Sequence, residues 1–192
     1  MARKLPLVVA LAFPLVLSGY LMGDDPKQQI ATPDTVARNA LDALKEDRLE
    51  DFAKAMHPDA LKRFKALLLS IVDAAAKDGQ EKQILVLFSG VRTADDLKKL
   101  DETQFFVAFY RGVTRLRPEM KQLLGGAEVQ TLGYVMEGKD TAHVVYRMTV
   151  SAEGAKVTKL DVLSLQKTGT GWGMLLSGDI EGIANLLKQK KQ

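Results

Sequence analysis

The spacing of hydrophobic residues changes once along the chain, near position 125. Before it, apolar residues recur three or four positions apart, as on one side of an amphipathic helix. After it, apolar and polar residues alternate, which is typical of strands buried on one face. Helices followed by consecutive strands predict an α+β domain in which the N-terminal helices pack on a curved antiparallel β-meander.

Three helices are predicted in the first part of the domain. Thr32-Pro33-Asp34 has the order of a helix start, with a capping residue, a proline in the first turn and an acidic residue near the positive end of the dipole. A second, short amphipathic stretch runs from Leu49 to Met56 and ends at His57-Pro58. Pro58 opens a longer third helix, which Asp78-Gly79 ends.

The middle of the chain is less regular. Residues 83–88 form a short apolar run that periodicity alone does not classify, and we favour a helix there; residues 95–100 fit one or two further turns. Asp101 to Gln104 resembles a capping box, and apolar residues from Phe105 to Leu116 follow at helical spacing. Pro118 is expected to limit that helix.

The pattern in the last part of the chain predicts a series of β-hairpins. Alternation at residues 129–136, in "TAHVVYRMTV" at residues 141–150, at residues 157–167 and at residues 172–177 predicts four strands, separated by turns rich in glycine. A short final helix is expected at residues 179–188, which carry Ile180, Ile183, Leu186 and Leu187.

The N-terminus has the features of an export signal. Arg3 and Lys4 precede an apolar segment, residues 5–22, that contains Pro6 and Pro14. A signal peptide has an apolar core of about 7–15 residues and small residues before the cut, and a cut after Ser18 is acceptable. An uncleaved anchor needs about 20 apolar residues and remains the alternative. Both place the domain outside the cytoplasmic membrane, in the periplasm or the extracellular space.

These features divide the chain into a signal peptide or anchor at residues 1–23, a polar linker at residues 24–31 and a single domain at residues 32–190. The chain has no cysteine, which excludes disulfides, thiolate metal sites and lipidation at the position of Tyr20. Arg3 and Lys4 are the only charges before residue 24, so the rest carries 25 basic against 24 acidic residues. This near balance argues against a nucleic-acid partner.

The stretch "TPDTVARNALDALKEDRLEDFAKAMHPDALKRF", residues 32–64, resembles the opening helices of the cystatin-like cone superfamily, which includes nuclear-transport-factor-two-like, ketosteroid-isomerase-like and SnoaL-like proteins. The later "TGTGWGM" at residues 168–174 is similar to the last hairpin of that family. The resemblance implies a bent sheet wrapped around helices, with a cavity at the open end. Because that superfamily holds enzymes, ligand carriers and interaction modules, the resemblance selects no function.

The sequence contains no strong motif for a catalytic, phosphate-binding or metal site. "GYVMEGKD" at residues 133–140 approaches a phosphate-binding loop, but Asp140 stands where Ser or Thr is needed and strands lie on both sides, so a hairpin turn is favoured. The hydrolase pattern G-x-S-x-G is absent. His57 and His143 are the two histidines, and no cluster with the spacing of a zinc site surrounds them. No metal and no cofactor are therefore expected.

The candidate ligand-binding residues are His143, Arg147 and Asp161. His143 and Arg147 share one face of their strand, and normal pairing of the next strand is expected to bring Asp161 near them. Such a group in a cavity would bind an anionic ligand or act as a base for proton transfer. The alternative, which we favour, is a solvated polar face of the sheet.

We therefore predict an exported cell-envelope domain that binds a small molecule or a protein partner, with membrane contact only through the N-terminal segment if it is uncleaved. One alternative is a pocket enzyme, an isomerase or hydrolase that uses His143 or Asp161 as its base. Another is a membrane-tethered assembly module that exposes part of its sheet.

Overall fold

The computed structural model describes residues 31–152 and 155–178, in which seven helices precede a four-stranded sheet. The N-terminal segment predicted to direct export, the turn expected at residues 153–154 and the final helix expected at residues 179–188 lie outside the described residues. The helices are α1 (Pro33–Lys45), α2 (Leu49–Lys54), α3 (Pro58–Lys77), α4 (Glu81–Leu85), α5 (Ala94–Lys99), α6 (Glu102–Leu116) and α7 (Pro118–Gly125). The strands are β1 (Glu128–Glu137), β2 (Thr141–Ala152), β3 (Ala155–Lys167) and β4 (Trp172–Met174).

Local capping explains where the longer helices begin. Pro33 and Pro58 occupy the first turns of α1 and α3, where a missing backbone N–H costs nothing. At α6 the predicted capping box is confirmed: the Gln104 N–H donates to the Asp101 carboxylate at 2.7 Å, and the Asp101 N–H donates to the Gln104 side chain at 3.1 Å.

Helix α7 is absent from the sequence prediction. Pro118 was expected to end α6, and α6 does end at Leu116, but the same proline also opens a new helix. Arg117 lies between them with non-helical φ and ψ of −133° and 68°, as expected because proline disfavours the helical conformation of the preceding residue. The proline thus separates two helices.

The sheet has the order β1-β2-β3-β4 with every pair antiparallel, so the predicted meander is confirmed. The register of β1 against β2 shifts between Thr131 and Gly133, and Gly133 has φ +135°, a conformation that favours glycine. Among the described residues, no helix has both the length and the apolar character to cross a membrane.

The core lies between the helices and one face of the sheet, which we call the inner face. Ala142, Val144 and Tyr146 of β2 are buried on it. The short strand β4 joins this face to the α2–α3 junction: the His57 N–H donates to the Met174 carbonyl at 2.8 Å, and the Met174 N–H donates to the Ala55 carbonyl at 2.9 Å. The helices and the last strand are therefore tied together at one end of the sheet.

Candidate functional site

An apolar cavity of about 330 Å³ lies between the helices and the inner face of the sheet. Phe52 of α2, Phe64 of α3 and Met120 of α7 contribute to its walls, with Leu163 of β3 opposite them. The residues that follow β4, Leu175 to Ser177, complete the lining. Among the described residues that line the cavity, none carries a charge, and two, Tyr110 and Ser177, carry a hydroxyl group.

Aromatic rings form the helical wall of this cavity. The rings of Phe52 and Phe106 stack at 5.6 Å, and Phe106 stacks on Tyr110 at 6.2 Å. Phe64 meets the edge of Phe109 at 5.4 Å. Offset and edge-to-face pairs of this kind fix ring positions better than aliphatic contacts do. The wall is consequently a set of mutually oriented flat surfaces.

Helix α6 supplies most of this wall because of its sequence spacing. Phe106, Phe109, Tyr110 and Val113 recur at intervals of three and four residues and so share one side of the helix. On another side, Gly112 is buried and lies against the backbone of Leu87 and Phe88. A residue without a side chain is needed there, and it sets the position of α6 against the chain after α4.

Among the described residues of the cavity wall, Tyr110 is the titratable one. Burial raises the pKa of its phenol to about 12, and the negative charge of Asp47 adds to the shift. The phenol is therefore neutral at any physiological pH. In that form it donates and accepts hydrogen bonds but does not act as a base.

The three candidate residues from the sequence are not brought together. Ala152 pairs with Ala155, so each odd-numbered residue of β2 faces an even-numbered residue of β3. His143 therefore lies opposite Ser164, while Asp161 lies opposite Tyr146. Because residues directly opposite each other share a face, Asp161 is on the inner face and His143 and Arg147 are on the outer face. The expectation of one His–Arg–Asp group is wrong.

On the outer face His143 and Arg147 have polar partners of their own. The ring nitrogens of His143 lie 2.9 Å from the Ser164 hydroxyl and 2.7 Å from the Glu137 carboxylate. The Arg147 guanidinium donates to the Gln130 side chain at 3.2 Å. This arrangement fits the solvated polar face that the sequence favoured.

Asp161 lies on the inner face, two residues from Leu163 along β3, but it is not part of the cavity lining. The Lys159 ammonium donates to its carboxylate at 2.7 Å and the Val162 N–H donates at 2.9 Å, and both hydrogen bonds hold the pKa of Asp161 below its usual value. A carboxylate with a lowered pKa is a weak base. A ligand-binding role for each of the three residues stays a prediction.

The described residues contain no group of three or more histidine or acidic side chains placed to hold a metal ion. His57 lies at the start of α3, where its Nδ1 accepts a hydrogen bond from the Asp59 N–H at 3.2 Å. His57 thus caps the N-terminus of α3.

The sequence indicated only some of the residues that line the cavity. The sequence predicts a helix for the apolar residues from Phe105 to Leu116 but does not indicate which of them line a cavity. The structure divides the aromatic residues, because Phe105 is fully buried, whereas Phe109 and Tyr110 are half-buried beside the cavity. The contributions of Met120 and Leu163 were missed, and for Met120 the reason is that α7 itself was not predicted.

No family model matches the chain, and no curated protein matches it. Among solved structures, the chain is similar to an NTF-2 like protein of unknown function from Shewanella oneidensis MR-1. The identity is 14% and the TM-score 0.38, over 72% of this chain and 88% of that chain. A match at this level carries no information on ligand or activity.

Proposed function

We propose that the chain is an exported, non-catalytic domain that binds a small apolar molecule in the cavity beside α6. The observation that carries the proposal is the composition of the wall: aromatic and aliphatic side chains around about 330 Å³, with no charged group among the described lining residues. Ligand pockets in proteins are mostly apolar, with few polar groups, and range from about 300 to 1,000 Å³. This cavity is at the small end of that range.

The wall also limits the chemistry of the ligand. A charged ligand would lose its hydration without gaining an ionic partner, which is strongly unfavourable. The stacked rings of Phe52, Phe106 and Tyr110 instead offer flat surfaces that favour aromatic or aliphatic groups. The neutral Tyr110 phenol adds a hydrogen-bonding group to this wall, and Ser177 adds a second hydroxyl group to the lining. The fitting ligand is small, uncharged and at most weakly polar.

Binding without turnover is favoured over the enzyme alternative. A general base must lie within hydrogen-bond reach of the reacting proton. His143 is on the opposite face of the sheet, and Asp161 lies outside the lining with a lowered pKa. Neither of the two candidate bases is therefore placed to act on a molecule in the cavity.

Export is part of this proposal and is supported by the composition of residues 1–23, with two basic residues followed by an apolar segment. The mass of the N-terminal peptide of the secreted protein tests it. A mature chain that begins at Gly19 is expected for a signal peptide cut after Ser18. An intact N-terminus in the membrane fraction would favour the anchor, and a full-length chain in the cytosol would contradict export.

The binding proposal is tested with the neutral fluorescent probe N-phenylnaphthylamine and a matched pair of variants on β3. Leu163 lines the cavity, whereas its neighbour Val162 pairs with Val145 on the outer face and is exposed. Leu163→Trp fills the cavity and is expected to weaken binding by at least about tenfold, or about 1.4 kcal/mol. Val162→Trp adds the same side chain outside and is expected to leave the Kd within about twofold.

Urea unfolding of both variants is the necessary control, because a lower affinity counts only if Leu163→Trp remains folded. Equal affinities in the two variants would mean that the probe does not bind in this cavity. Absence of saturable binding to the wild type and to both variants would contradict the proposed function.

The protein-partner alternative also stays a proposal. Among the described residues of the outer face, Val135, Leu160 and Val162 are apolar and exposed, and Val135 is 66% exposed. Such a partner would bind on the face opposite the cavity.

A further inference from the structure

A second opening in the helical part of the molecule, which we call the polar cleft, has a volume of about 390 Å³. It lies on a different side of α6 from the apolar cavity: Phe106 and Tyr110 face the cavity, whereas Thr103, Val107 and Arg111, spaced four residues apart, line the cleft. Its other walls come from α2 and from the chain between α4 and α5. All of its lining residues fall between positions 50 and 111, so the cleft is built entirely from described residues.

The wall that follows α4 is held in place by its own hydrogen bonds. The Ser89 N–H donates to the Ala108 carbonyl at 2.8 Å, which ties this wall to α6. The next residue, Gly90, has φ +77°, a conformation that favours glycine. The Ala94 N–H donates to the Glu81 carboxylate at 3.0 Å, which holds the far end of the same segment. A preformed wall of this kind reduces the ordering cost of ligand binding.

Two opposite charges lie together in the polar cleft. The Arg111 Nη2 donates to the Glu50 Oε1 at 2.8 Å, and both side chains are about half exposed, at 53% and 51%. An exposed ion pair contributes little to stability, so its replacement by ion pairs to a ligand breaks no strong interaction. None of the other described lining residues carries a charge, and the lining is therefore neutral overall.

The remainder of the cleft combines apolar and hydroxyl-bearing side chains. Val91, Leu100 and Val107 belong to the lining, and of these Val107 is buried whereas the other two are half-buried. Ser89 and Thr103 add hydroxyl groups. The polar cleft thus offers one positive charge, one negative charge and an apolar surface within a single opening.

We propose that the polar cleft binds an aliphatic α-amino acid. The carboxylate of the amino acid pairs with the Arg111 guanidinium, which suits the planar geometry of a carboxylate, and its ammonium group pairs with the Glu50 carboxylate. The aliphatic side chain lies against Val91, Leu100 and Val107. A molecule with only one of the two charges would leave one member of the ion pair without a complementary group. This site is separate from the apolar cavity and goes beyond the proposed function.

Titration of the isotope-labelled full chain with L-leucine, followed by the backbone amide signals in NMR spectra, tests the site. We expect saturable shifts at Ser89, Gly90 and Arg111, with a Kd of about 1 mM or tighter. Two analogues each lack one charge: isocaproate lacks the ammonium group, and isoamylamine lacks the carboxylate. Each is expected to bind about tenfold or more weakly than L-leucine. Equal affinity for either analogue would overturn the recognition of both charges.

Three variants test the two charged residues. Arg111→Gln and Glu50→Gln are each expected to weaken L-leucine binding by about tenfold or more, because each removes one partner of the amino acid. Lys121→Gln is the matched control, since it removes one charge from the exposed ion pair with Asp47, 2.6 Å long, outside the cleft. Its Kd is expected to stay within about twofold of the wild type. Urea unfolding verifies that all three remain folded, and unchanged affinity in Arg111→Gln and Glu50→Gln would overturn the proposal.

The variant Leu163→Trp separates this site from the apolar cavity. It fills the cavity and leaves the polar cleft unchanged, so its affinity for L-leucine is expected to stay within about twofold of the wild type. Loss of L-leucine binding in Leu163→Trp would place the amino acid in the cavity and overturn the proposal. Absence of saturable L-leucine binding to the wild type would also overturn it, whereas the proposed function is judged separately by the binding of N-phenylnaphthylamine.

Discussion

Gly112 is the position at which an added methyl group is expected to disrupt the packing of the site most. An ideal Cβ on Gly112 would lie 2.0 Å from the Leu87 carbonyl oxygen, 2.4 Å from its carbon and 2.8 Å from the Phe88 nitrogen. All three are backbone atoms, so no side-chain rotation relieves the clash. Since ordinary contact begins at 3.4 Å, α6 and the Leu87–Phe88 backbone must separate by more than one ångström in Gly112→Ala.

Three terms contribute to the change in the free energy of unfolding. Overpacking of a dense region costs about 1–3 kcal/mol. The hydrogen bond from the Ser89 N–H to the Ala108 carbonyl, 2.8 Å long, crosses the same contact, and its loss costs about 1 kcal/mol. Alanine returns up to about 1 kcal/mol through its higher helix propensity. Together these terms predict that Gly112→Ala lowers the free energy of unfolding by about 1–4 kcal/mol.

Urea unfolding followed by the fluorescence of Trp172, the single tryptophan, measures this change. The matched control is Gly125→Ala at the end of α7, where the nearest atom to the added Cβ is the Lys45 carbonyl oxygen at an unstrained 3.8 Å. That variant should be unchanged or stabilised by up to about 1 kcal/mol. A Gly112→Ala protein within about 0.5 kcal/mol of the wild type would refute the reasoning.

Three further predictions concern the site and its surroundings. Burial raises the Tyr110 pKa to about 12, so the stability that the neutral phenol contributes is complete below pH 10 and is lost as the pH rises towards 12. Across that interval the free energy of unfolding of the wild type should fall by about 1–2 kcal/mol more than that of Tyr110→Phe, as measured by urea unfolding. Equal losses in the two proteins would contradict the burial of Tyr110. Gly173→Ala places a Cβ 2.7 Å from the His57 Cα and should lower the melting temperature by several degrees, whereas Gly169→Ala, which meets no atom within 4 Å, should not. Asp161→Asn should leave the Kd for N-phenylnaphthylamine within about twofold, and a tenfold loss would place the carboxylate at the ligand after all.

The elements that were predictable from the sequence have strong local signals. The Asp101–Gln104 capping box, the prolines at the starts of α1 and α3 and the glycine-containing turn before β2 each act within a few residues, so the sequence alone locates them. Helix α7 lacks such a signal, since Pro118 favours a helix end as much as a helix start, and no residue of α7 is buried.

The site was harder to predict because it depends on register and packing. A shift of one residue in the register of β2 against β3 decides whether Asp161 and His143 lie on the same face of the sheet. The Ala152–Ala155 pairing sets this register. The cavity is a space between α2, α3, α6, α7 and the sheet, so it exists only in the relative positions of these elements. Hydrophobic periodicity gives the side of α6 that is buried but not how completely its neighbours fill the space beside it.

The most direct test of a ligand-binding cavity is the number of molecules bound at saturation. Equilibrium dialysis of N-phenylnaphthylamine against the wild type should give one molecule per chain, and Leu163→Trp, folded to the same extent, should give no saturable binding in the same concentration range. Several weak sites on the wild type, or one site that persists unchanged in Leu163→Trp, would contradict the account.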